Sequence, residues 1–249
     1  MFKKLLRQVG IGSLKVDTKL EQDFVEPGSL LRGVIHIDGG REPEKIDGIY
    51  LHLNAQVLTD DHEHRVVHLE RYPIAYDLEI DPGEHVEVDF EIPIPPDLPM
   101  TTGMVRVWIH TSTDTPYLSD PDDDDAIEVA PHPVLDTTIR VLQDLGFRLS
   151  QSEFENPHPQ MNARLPFVQE LDFRPEQGHW SLEELEMVVI PRHVGVDFYI
   201  EFDRRESWLE EAMDVEWPNR MVHVRVDEGE GQDPIRMRRI LEDILHHTD

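Results

Sequence analysis

Histidines and carboxylates are the side chains of this sequence that cluster closely enough to suggest chemistry. His62, His64 and His68 share one strand parity beside Asp60, so their side chains could approach a metal together. Residues two and four apart on one strand cannot close a tetrahedron alone, and an exposed polar hairpin is the expected arrangement. Asp120, Asp122, Asp124 and Glu128 follow part of the spacing of a calcium loop. The glycine that permits its sharp turn is missing and Pro121 intrudes, so a solvated acidic loop is expected, with no bound metal. Gly10-Ile11-Gly12 lacks the preceding strand and following helix of a dinucleotide-binding loop. There is no Gly-x-Ser-x-Gly elbow, and the absence of cysteine removes thiol nucleophiles, thiolate metal sites and disulfides. The expectation is a protein without catalytic residues or cofactor.

Two stretches join an apolar stripe to basic residues. Phe2, Leu5, Leu6 and Val9 fall on one helical face with Lys3, Lys4 and Arg7 among them. Near the other end, Met237, Ile240, Leu241, Ile244 and Leu245 form a stripe surrounded by Arg236, Arg238 and Arg239. Against a net charge of -29, these basic islands single out Phe2, Lys3, Lys4, Leu5, Leu6, Arg7, Arg236, Arg239 and Leu241 as partner-binding candidates. The expected partners are proteins, with a weak contact to an anionic membrane through residues 2–9. The tail stripe is expected to cap its own domain, with a homodimer seam as the second reading.

The same charge excludes nonspecific nucleic-acid binding, which needs clustered Lys and Arg at the phosphates. Lysine occurs only at Lys3, Lys4, Lys15, Lys19 and Lys45. That bias suits a very salty cytoplasm, where ionic strength screens self-repulsion; the rival reading is an acidic face built for a basic partner. No apolar run approaches the roughly 18 residues that span a bilayer, and no signal peptide is legible, so the expected location is cytoplasmic.

The elements that must carry these residues are mostly strands. Leu14, Val16, Thr18 and Leu20 alternate with polar residues, as do Leu31, Gly33, Ile35 and Ile37, then Ile49 to Val57, and then Val86 to Ile92. Pro-Gly turns at 27–28 and 82–83 punctuate them. Short strands without intervening helices indicate antiparallel sandwiches. The predicted fold class is all-β, with domains at 1–130 and 131–249, a helix of about three turns opening the second. Asp233 and Pro234 begin a C-terminal amphipathic helix over about 233–247.

Phe24-Val25-Glu26-Pro27-Gly28-Ser29-Leu30-Leu31-Arg32-Gly33-Val34-Ile35 resembles the arrestin-type N-terminal pattern, and Phe90 to Pro99 is similar to the Pro-rich strand exit of that fold. Three segments are sharper: Phe2 to Leu6 leading to Val9-Gly10-Ile11-Gly12 and Lys15-Val16-Asp17-Thr18; Ile127 to Pro133; and Leu145-Gly146-Phe147-Arg148-Leu149 with Leu165 to Glu170. Their order and spacing resemble the SpoOM family of sporulation-control proteins, up to about Arg205. The resemblance implies two arrestin-like sandwiches, no known enzymatic activity, and a regulatory or scaffolding role in differentiation, stress response or cell-division control. The alternatives are a metal- or ligand-binding sensor with an inter-domain cleft, or a hydrolase with an unrecognised site.

Overall fold

The computed structural model describes residues 14–58, 64–102, 105–116, 121–176, 180, 182–192, 194–204 and 221–248. Residues 2–9, His62 and Asp120 lie outside them. The chain divides into two compact units, the first made of 1–57 and 64–130, the second of 131–249 with 58–63. It is all-β with few, short helices.

The first unit has two sheets. One runs β1 (Lys15–Leu20), β3 (Leu30–Asp38), β6 (His85–Pro93), antiparallel throughout. The other has the order β2-β8-β7-β4-β5, with β2 Phe24–Val25, β4 Glu44–Leu58, β5 His64–Ile80, β7 Arg106–Asp114 and β8 Asp122–Val129. Alternation puts one parity of each strand inside: Leu31, Ile35, Ile37, Ile49, Leu51 and Leu53 are fully buried. The sheets are joined across the core by a hydrogen bond between the Thr18 and Thr111 hydroxyls, 2.6 Å apart. Thr18 N–H also donates to Asp123 Oδ2 at 2.7 Å, so neither buried polar group is orphaned. Two glycines of the arrestin-type pattern have separate causes. Gly28 takes φ +81° in the turn after Pro27, and a Cβ on Gly33 would stand 2.6 Å from the ring of its cross-strand partner Phe90.

The second unit opens with α1 (Pro133–Asp144), capped by His132 and stopped at Gly146, whose φ is +88°. Strands β9 (Phe147–Glu155), β10 (Val168–Pro175), β11 (Leu182–Pro191), β12 (Val196–Arg204) and β13 (Val222–Val226) follow as an antiparallel meander. Among the described residues, this unit's strands form that single sheet. A short turn of helix α2 (Glu228–Gly231) leads into α3 (Pro234–Thr248), and α1 packs against β9, α2 and α3.

Two departures from sequence expectation have simple reasons. The acidic residues from Asp122 onward belong to strand β8 and not to a loop, because alternate members find partners on both sides: Asp124 meets His110 at 2.8 Å while Asp123 caps Thr18. Strand β9 was not anticipated, because its buried positions, Phe147, Ser152 and Phe154, do not keep one alternation: an irregularity in its pairing opposite Asp172 and Phe173 shifts the parity between Leu149 and Gln151.

Candidate functional site

The second unit's sheet has one apolar face and one that is chemically divided. Leu171, Phe173, Leu185, Met187, Phe198, Ile200 and Phe202 point one way and are buried. The opposite parity carries Glu153 on β9, Glu170 and Asp172 on β10, Glu184 and Glu186 on β11, and Glu201 and Asp203 on β12. Antiparallel register then sets carboxylates directly opposite each other: Glu153 with Glu170, Asp172 with Glu186, Glu186 with Glu201, and Glu184 with Asp203. Like charges facing each other across a ladder destabilise a sheet.

The electrostatic consequence is large. Burial, then the charges of Glu155, Glu186, Asp172 and Glu201, push Glu170 up to about 8. Glu186 is raised to about 7 by burial and then by Asp172, Glu201 and Glu184. Asp172 is raised to about 6 by burial and then by Glu184 and Glu153, and its Oδ1 is buried without a hydrogen-bond partner among the described residues. Arg174 pairs with Glu184 at 2.9 Å at the edge of the group.

The other end of the same face is built in the opposite way. Asp197, 1% exposed, accepts from Arg192 Nε at 2.7 Å, from Arg225 Nε and Nη2 at 2.7 and 2.8 Å, and pairs with His223 Nε2 at 3.1 Å. Arg192 also donates to the carbonyls of Met161 and Asn162, which fastens the short helical turn Pro159–Met161 over Val168, Val188, Ile190 and Tyr199. The Arg225 guanidinium above all holds the Asp197 carboxyl far below the usual carboxylate range.

The residues singled out from sequence are dispersed. Phe2, Lys3, Lys4, Leu5, Leu6 and Arg7, with His62 and Asp120, are outside the described residues. His64 is exposed, and His68 donates from Nδ1 to Asn54 Oδ1 at 2.7 Å, which commits that nitrogen. Asp122 and Asp124 lie two apart on an extended strand, where their carboxylates cannot wrap one cation as a loop would. On α3, Met237, Leu241 and Leu245 are 1–2% exposed, so Leu241 is a core residue and is corrected from a docking one. Arg236 and Arg239 are exposed, with Arg236 paired to Glu230 at 3.1 Å. The carboxylate face was missed, although each of its four strands carries acids at i and i+2.

Among the described residues, one trio has ligand atoms close enough to hold a metal ion: His36, His85 and Glu87 on the first unit's three-stranded sheet. No helix among the described residues is long and apolar enough to cross a membrane.

Comparison with known proteins fixes the family. The family model described as SpoOM protein matches residues 2–206. The sporulation-control protein spo0M of Bacillus subtilis (strain 168) is 35% identical over 253 residues, covering 98% of this chain and 97% of that one. The crystal structure of Spo0M from the same organism matches with a TM-score of 0.83 at 34% identity, covering 96% of this chain and 100% of that chain. With the family model spanning residues 2–206 and the Bacillus subtilis relative matched along nearly the whole length of both chains, this chain belongs to the SpoOM family of sporulation-control proteins.

Proposed function

We propose that the chain is a non-catalytic regulatory protein that works by binding protein partners, and that the carboxylate end of the second unit's sheet receives a basic segment of such a partner. The supporting observation is the set of directly opposed acids, Glu153 with Glu170 and Asp172 with Glu186 and Glu201. A surface acidic only for solubility or salt tolerance gains nothing from stacking carboxylates where desolvation raises Glu170 to about 8. Lys or Arg side chains laid along this face would neutralise the cluster, restore the charged forms and turn a local cost into binding free energy.

Affinity purification from the source cells tests the reading, with the wild-type chain, a Glu170→Lys/Glu186→Lys chain, and a control reversal at exposed Glu26 in the first unit. Folding of each is checked by circular dichroism. The reading expects a defined set of partners that survives the Glu26 reversal and is lost with the Glu170/Glu186 reversal. Identical partners from all three chains would overturn it.

A further inference from the structure

Strands β3 and β6 pair so that His36 stands opposite Glu87 and Asp38 opposite His85. All four side chains lie on the outer parity, because Ile35 and Ile37 between and beside them are fully buried. His36 Nδ1 and His85 Nε2 both reach Glu87 Oε1 at 3.4 Å, and the two imidazoles stack with centroids 5.5 Å apart. The three ligand atoms lie within 4.8 Å of one another.

From this arrangement we infer a divalent transition-metal site, of the zinc class, with His36, His85 and Glu87 as ligands. Ligand atoms about 2.1 Å from a tetrahedral zinc ion stand about 3.4 Å apart, which is the spacing of both nitrogens from the carboxylate oxygen. The fourth position, open on the outer face of the sheet, is left to water or to a group from another molecule. His85 Nδ1 sits 2.8 Å from Asp38 Oδ1, and since a carboxylate only accepts, that nitrogen donates. Its other ring nitrogen, Nε2, faces Glu87 Oε1, on the side where His36 Nδ1 also reaches that oxygen. Asp38 is then a positioning residue, fixing the tautomer and ring of His85 as carboxylates do behind metal-bound histidines. A pair of sheet strands anchored by buried isoleucines gives the rigidity that such a site requires. The set differs from calcium chemistry, for which an all-oxygen shell is needed.

The test is calorimetric titration of the full-length chain with zinc chloride, and cobalt(II) absorption spectroscopy in parallel. The wild type is expected to bind one zinc ion and to give the visible bands of four- or five-coordinate cobalt. His36→Ala and His85→Ala are expected to weaken zinc by about 30-fold or more and to abolish the cobalt bands. Asp38→Asn, which keeps every ligand, is expected to weaken zinc by about 10-fold. These positions are on the outer face, and thermal melts show whether each variant folds. Absence of zinc binding by the wild type would overturn the inference. So would zinc binding that both histidine variants retain, since the carboxylate face of the second unit would then be taking the ion.

Discussion

Glu170 and Asp197 stand on the same face of the same five-stranded sheet, and their carboxyl groups are driven in opposite directions. Asp197 is nearly inaccessible to water yet stays charged, because two guanidiniums and an imidazole surround it. Glu170 resists ionisation because burial first, and then the charges of Glu155, Glu186, Asp172 and Glu201, disfavour its charged form. Burial disfavours the charge in both places, and the sign of the neighbours decides the outcome. Asp197 is what a structural acid looks like: every lone pair is used, and the bonds fasten a loop. The Glu170 end has the opposite signature, with acid facing acid across neighbouring strands.

The comparison breaks most severely at Asp197. Asp197→Ala leaves Arg192 and Arg225 without their partner and releases the clamp on Met161 and Asn162; urea denaturation should show a loss of about 3–5 kcal/mol. In the wild type, the folded value lies below the ordinary 3.8, so this contribution is complete above that pH and fades as the pH falls beneath it. Acid unfolding of the variant should accordingly lack the part that Asp197 protonation supplies.

Glu170→Gln should act with the opposite sign. Its folded value, about 8, exceeds the ordinary 4.5, so its cost to stability is absent below pH 4.5 and grows up to about pH 8. Thermal melts at low salt should find the variant more stable than the wild type at pH 8, by about 1–2 kcal/mol, and no better at pH 4. Equal gains at both values would mean that the cluster is not the cause.

Salt should have the smallest effect. Raising KCl from 0.1 to 1 M shortens the screening length from about 10 to about 3 Å. The wild-type melting temperature should rise by a few degrees more than that of a Glu170→Gln/Glu186→Gln chain, because only the wild type retains the repulsion to be screened. A rise of equal size in both would assign the salt response to the rest of the acidic surface, as adaptation to a salty medium requires.

Much of the fold was legible in the residues because its signal is local. Alternation placed β1, β3, β4 and β6, and the spacing of Val134, Leu135 and Leu142 before Gly146 placed α1. The sites were not legible, because they depend on register between strands. Glu153, Glu170, Glu186 and Glu201 are scattered acids until β9 to β12 align them, and Asp197 meets Arg225 only through the β12–β13 pairing. His36 and His85, 49 residues apart in sequence, converge for the same reason. The reading of Leu241 as a docking residue failed because an amphipathic stripe looks the same whether its apolar side meets a partner or its own domain.

The most direct measurement is a carbon-detected NMR titration of the Glu170 side-chain carboxyl, alone and with a saturating lysine-rich peptide. The predicted result is a midpoint near 8 for the free chain, moved down by about one pH unit or more when the peptide neutralises the cluster. A midpoint near the ordinary 4.5 in the free chain, unmoved by the peptide, would contradict the account.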